Sequence, residues 1–103
     1  MEDLIAQNVD AICVVPNDPA ALVPTIEKAR KAGIVVVTHE APGTADNVDL
    51  DVEAFANEAF GELFAKNLAK AMGGKGKYAG FVGGLTMETH MAWYKAAVNY
   101  IKK

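Results

Sequence analysis

A single cysteine, Cys13, in a chain of 103 residues excludes any internal disulfide. Set between Ile12 and Val14 in an apolar run, it reads as a small buried hydrophobe rather than a reactive thiol. Positive charge is also scarce: ten Lys and Arg stand against thirteen Asp and Glu, for a net charge of −3, and the ten are scattered. Phosphate backbones call for concentrated basic surface, so nucleic acid is excluded as a partner. No charged n-region precedes an apolar stretch, so no signal peptide is expected within this segment, and no apolar run has the length of a membrane span.

The signatures of catalysis are missing as well. There is no nucleophile elbow and no Walker-type phosphate loop, and Gly83-Gly84-Leu85-Thr86 has neither the spacing nor the downstream acid of a dinucleotide fingerprint. Gly73-Gly74-Lys75-Gly76-Lys77 follows a predicted helix and precedes an apolar run, the wrong order for a helix N-terminus to hold phosphate. His39, Glu40 and His90 match no metal motif such as two histidines one helical turn apart. The expectation is a chain that is not an enzyme and that carries neither cofactor nor metal.

What the chain does have is apolar runs that end abruptly in polar residues. Residues 11–15 (AICVV) run into Pro16-Asn17-Asp18-Pro19, and residues 34–37 (IVVV) run into Thr38-His39-Glu40. A third run, Tyr78 to Val82, ends in Gly83-Gly84-Leu85-Thr86. Helices separate them. Asp18 is a suitable N-cap with Pro19 in the first turn, for a helix to Lys31 or Ala32 that stops at Gly33 and bends slightly at Pro24. Between Glu40 and Asp51, the stretch Ala41 to Asn47 reads as an exposed loop. A second helix is expected from about Val52 to Met72, with Phe60, Leu63, Phe64 and Leu68 toward the sheet. Met87, Met91, Tyr94, Val98 and Ile101 mark the stripe of a last helix.

Apolar strands joined through helices predict an α/β fold with a parallel, three-layer sheet, Rossmann-like or flavodoxin-like but incomplete at this length. Both ends read as helices without caps, and three strands leave an exposed edge prone to self-association. The segment is therefore expected to be part of a larger protein.

Parallel sheets place ligands beyond the carboxyl ends of their strands, which makes the polar ends the candidate site. Asn17 sits in the turn after the first strand, where a helix cap is the ordinary role and ligand contact the functional one. Glu40 ends the second strand and can accept two hydrogen bonds from a polyol, against the alternative of a solvated loop carboxylate. His39 alternates with Glu40 across the strand and is expected to pack or face solvent. Thr89 and His90 fall in the first turn of the last helix, where free N–H groups and an imidazole suit a neutral hydroxylated ligand; Glu88 precedes them.

The run from Asp10 to Leu22, the run Ala32-Gly33-Ile34-Val35-Val36-Val37-Thr38-His39-Glu40, the stretch Asn57-Glu58-Ala59-Phe60-Gly61, and Phe81 to Thr86 with Trp93 resemble the type I periplasmic sugar-binding proteins of ABC importers. Within that family the likeness is to the branch that binds rhamnose-like sugars and the furanosyl quorum-sensing signal. The resemblance covers nearly the whole chain. It implies a two-lobed protein closing on a monosaccharide or related furanosyl compound, with residues 1–103 forming most of the amino-terminal lobe. The first strand-helix-strand unit and the second lobe would then lie outside this segment. It further implies an ABC permease as the parent's partner and a periplasmic or membrane-anchored extracellular location.

Carried over by motif, the acid that ends the second strand is Glu40, where ribose-type members have an aspartate for a hydroxyl pair. The arginine that often follows is Ala41 here. The polar pair ahead of Trp93 maps to Thr89-His90, where the signal-binding branch prefers Asp and Gln. Sugar-responsive transcription repressors share the architecture in their effector lobes and supply the alternative reading.

Overall fold

The computed structural model describes residues 1–103, which divide into two units: Met1–Ala54 with Thr86–Glu88, and Phe55–Leu85 with Thr89–Lys103. The first holds α1 (Glu2–Ala6), β1 (Ala11–Val14), α2 (Pro19–Lys31), β2 (Val35–His39), a 3-10 turn over Pro42–Thr44, and β3 (Leu50–Val52). The strands form one parallel sheet in the order β1-β2-β3, with Ile12 opposite Val36 and Thr38 opposite Asp51. The α/β class and the parallel sheet are as the sequence implied.

Local chemistry sets the element boundaries. Asp18 Oδ1 accepts from the Ala21 N–H at 3.0 Å and caps α2, whose first residue is the proline that has no N–H to lose. At the other end Gly33, at φ +83°, lets its own N–H reach the Arg30 carbonyl and the Ile34 N–H reach that of Ala29. This double bond turns the chain sharply into β2. Asn8, at φ +53°, closes α1 in the same way.

One face of the sheet is packed. Ile12 and Val36 meet Ile26 and Ala29 of α2 and Ile5 of α1, with Ile34 and Val48 completing the core. The opposite face carries Ala11, Cys13, Val35, Leu50 and Val52, all exposed. Cys13 is therefore on the surface, contrary to the buried position expected for it. Side chains alternate along a strand, and Ile12 takes the core-facing place.

The third strand is also not where expected. Leu50–Val52 forms β3, whereas Tyr78–Val82 adopts no strand, and the next helix starts at Asn57 rather than Val52. Asp49 accounts for the difference. Its N–H donates to the Val36 carbonyl at 2.9 Å and its Oδ2 accepts from the Val36 N–H at 2.8 Å, so one residue satisfies both backbone groups of Val36. Arg30 of α2 donates to Asp49 Oδ1 at 3.1 Å and to the Asn47 carbonyl at 3.0 Å. Asp49 and Asp51, which as acids just ahead of the helix expected from Val52 would suit its positive end, are strand anchors instead. The segment before β3 is less exposed than a loop reading implied, since Ala41, Thr44 and Val48 are buried.

The second unit holds α3 (Asn57–Ala71) and the body of α4 (Glu88–Ile101). Gly73 and Gly74, both at positive φ, end α3 by the same paired bonds to Lys70 and Ala69. The buried residues of α3 are Gly61 and Ala65; Phe60, Leu63 and Phe64 are exposed rather than packed on a sheet. The helices approach closely at Gly61, where an added Cβ would fall 2.4 Å from the Trp93 carbonyl oxygen and 2.8 Å from the Ala96 Cβ. No helix of the chain is long and apolar enough to cross a membrane.

Two outcomes follow from these packings. Gly61→Ala, which on helix propensity alone would stabilise, is expected to lower stability by about 1–3 kcal/mol through overpacking, read as a drop in the urea midpoint; a rise would contradict the close approach of α3 and α4. The bonds from Val36 N–H and Arg30 hold the Asp49 carboxyl below its ordinary value of 3.8. A depressed folded value means this stabilisation is complete above the unfolded value and disappears as pH falls through the folded one. Asp49→Asn should therefore flatten the acid limb of stability measured from about pH 5 to pH 2, and an unchanged limb would remove Asp49 from that role.

Candidate functional site

β1 and β2 are adjacent and parallel, so their carboxyl ends deliver Asn17 and Glu40 to one rim of the first unit. Asn17 is exposed, three residues beyond β1, and its carbonyl accepts from the Thr86 hydroxyl at 3.3 Å. Glu40 follows β2 directly and is half-buried. Its φ of +58° is the left-handed conformation, which a residue with a Cβ adopts only when its surroundings impose it.

Those surroundings are a ladder of threonines. The buried Thr38 hydroxyl donates to Asp51 Oδ1 at 2.6 Å and lies 3.3 Å from the Thr44 hydroxyl, which in turn donates to the Ala41 carbonyl at 2.8 Å. Thr38 thus ties β2 to β3, and Thr44 closes the turn after Glu40 on the Ala41 carbonyl while packing against Thr38. Gly43 adds a tie to the Thr86–Glu88 segment, its N–H donating to Glu88 Oε2 at 3.0 Å. A side chain at position 43 would collide with that carboxylate. The Glu88 carboxylate is therefore engaged by backbone.

His39 was expected to pack or face solvent, and the structure gives it a more definite place. Its Nδ1 bonds the Val52 carbonyl of β3, and its Nε2 lies 3.8 Å from Glu40 Oε1. Alternation along the strand does not separate these two residues, because Glu40 has left the strand conformation. No three His, Cys, Asp or Glu side chains converge as metal ligands would.

Thr89 and His90 belong to the second unit, in the first turn of α4. Thr89 is 2% exposed. His90 Nδ1 accepts from the Gly83 N–H at 3.1 Å, so its neutral ring carries the hydrogen on Nε2 and presents a donor. The ring stacks on Trp93 at 5.1 Å between centroids, and Trp93 in turn meets Phe60 edge-on at 5.0 Å and donates its indole N–H to Asn57. A cavity of about 530 Å³ in this unit is lined mainly by Phe60, Phe64, Tyr78, Phe81, Trp93 and Tyr94, with His90 on its wall. Its walls are mostly apolar, and His90 is one of the few polar groups on them.

Comparison with known proteins identifies the family. The periplasmic binding protein domain family matches residues 1–103. The D-xylose-binding periplasmic protein of Haemophilus influenzae is 35% identical over 69 residues, which are 66% of this chain and 20% of that protein. The ribose import binding protein of Bacillus subtilis is 35% identical over 79 residues, 77% of this chain and 26% of that protein. A crystal structure of an ABC transporter solute-binding protein from Burkholderia graminis in complex with D-arabinose superposes with a TM-score of 0.73 at 27% identity, over 96% of this chain and 35% of the other. The chain thus spans between a fifth and about a third of the length of the proteins it matches. With a match along its full length and a shared parallel α/β sheet, the chain belongs to the periplasmic binding protein family.

Proposed function

We propose that the chain is part of the solute-binding component of an ABC uptake system, that its ligand is an aldopentose, and that it binds without catalysis. The observation that carries this reading is Glu40, a carboxylate held in a left-handed conformation at the carboxyl rim of the parallel strands, the edge where such sheets receive ligands. A backbone conformation that costs about 1 kcal/mol is retained where the side chain it aims has work to do. Asn17 supplies a second exposed polar side chain at the same rim. In the second unit, His90 offers an Nε2–H donor of its own, on the turn that carries the buried Thr89. The pentose assignment is supported by the sugars named for the similar proteins: xylose, ribose and arabinose.

In this reading the full-length parent works in the periplasm or is anchored outside the membrane, and an ABC permease recognises its closed, liganded form. A ligand held from one side keeps its other face in water, so the chain alone binds weakly. The outer edges of β1 and β3 are unpaired and provide the route for self-association.

Titration of the isotope-labelled chain with D-ribose, D-xylose and D-arabinose, followed by amide chemical shifts, is expected to move the resonances around Asn17 and Glu40 with a Kd of about millimolar order, and the resonances around His90 report separately on the donor of the second unit. L-rhamnose serves as the arm for the rhamnose and furanosyl-signal branch and is expected to bind more weakly. A submicromolar Kd would overturn the one-sided site. Glu40→Gln should weaken binding about tenfold by exchanging a charged acceptor for a neutral one. Glu40→Gly should also weaken it, yet raise stability by about 0.5–1 kcal/mol because glycine tolerates positive φ. Unchanged binding in both variants would remove Glu40 from the site.

A further inference from the structure

The hydrogen on His39 can be placed by its neighbour. A carbonyl only accepts, so the bond to Val52 requires the hydrogen on Nδ1. A neutral imidazole has one such hydrogen, which leaves Nε2 as a bare acceptor. That acceptor lies 3.8 Å from Glu40 Oε1, with the two side chains 39% and 27% exposed. Neither group can bond the other while the ring is neutral. Side by side and open to solvent, they form a pair of acceptors whose complement is a pair of adjacent donors.

Two hydroxyls on neighbouring carbons of a sugar are such a pair. We propose that His39 Nε2 and the Glu40 carboxylate together clamp a vicinal diol, and that protonation of His39 shuts the clamp by turning Nε2 into a donor to Glu40. This rests on the reading of Glu40 as a sugar acceptor and adds to it a second ligand contact and a dependence on pH.

The surroundings of His39 leave Glu40 as its charged partner. On its face of the sheet stand Ala11 and Cys13 of β1, Val35 and Val37 of β2, and Leu50 and Val52 of β3, of which only the Cys13 thiol titrates. Asp51 lies on the other face, bonded to the Thr38 hydroxyl, and Glu53, just past the end of β3, is the next carboxylate along the chain. Protonated His39 is held at both nitrogens, by the Val52 carbonyl and by Glu40. A sugar hydroxyl then loses one acceptor outright and must compete for the other. His90 is arranged in the opposite sense, with Nδ1 accepting from Gly83, so the two histidines of the chain are locked in opposite tautomers.

The test begins without sugar. Long-range proton–nitrogen spectra of the labelled chain at about pH 8 should show the hydrogen on Nδ1 for His39 and on Nε2 for His90. His39 in the other tautomer would overturn the clamp. Lowering the pH to about 5.5, a range in which imidazoles titrate and carboxylates do not, should shift the Glu40 side-chain carboxyl carbon together with the His39 ring, and His39→Gln should abolish that shift; a Glu40 carboxyl that ignores His39 would also overturn it.

With D-ribose as the probe, affinity should fall about tenfold between these two pH values, the loss of about 1.4 kcal/mol in hydrogen bonding. His39→Gln keeps a polar atom near the place of Nε2 but takes no proton. It should bind about threefold more weakly at the higher pH and show a flat pH profile. If Glu40→Gln weakens ribose binding while His39→Gln keeps the native pH profile, the sugar site stands and the clamp falls. If neither substitution changes binding, the Glu40 reading fails and the clamp with it.

Discussion

Asp49 is the residue on which the first unit depends. By bonding both backbone groups of Val36 and receiving the Arg30 guanidinium, it joins β2, β3 and α2 at one point. β3 has only three residues and contributes no buried side chain of its own, so burial alone cannot set its register. The register then decides the chemistry downstream. With Thr38 opposite Asp51 and His39 opposite Val52, a hydroxyl on the packed face finds a carboxylate and an imidazole on the other finds a carbonyl. Shifted by one residue, both partners would be lost at once.

The strand-helix-strand stretch from Ala11 to His39 was legible because each boundary is decided by residues next to it. Asp18 and Pro19 start the helix, Gly33 stops it, and the β-branched runs on either side have no better local option. β3 escaped because Asp49 and Asp51 flank and interrupt its two apolar residues, and acids before a helix are equally good first-turn residues. What distinguishes the readings is Val36, thirteen residues away, which no local pattern reveals. Tyr78–Val82 misled in the opposite direction, since its apolar content with a glycine inside is compatible with a strand without requiring one. Cys13 was misplaced because an unbroken apolar run conceals which alternate residues face the core.

For the candidate site, Asn17 and Glu40 could be assigned to one rim from topology alone, because adjacent parallel strands must end together. The left-handed backbone of Glu40 could not, since it belongs to the turn that Thr44 closes on the Ala41 carbonyl, and no residue type in the run marks it. The part played by His39 was hidden for the same reason: its partner is a carbonyl on the strand that the sequence did not disclose. His90 belongs both to the polar candidates and to the wall of the apolar cleft of the second unit, an overlap that the spacing of residues in the sequence does not reveal.

The uncovered sheet face has a practical side. Its row of aliphatic side chains includes the chain's sole thiol, central on β1 and open to solvent. A fluorophore attached at that sulfur would report, without any further engineering, whether that surface is wet or occluded in whatever larger molecule the segment is read in.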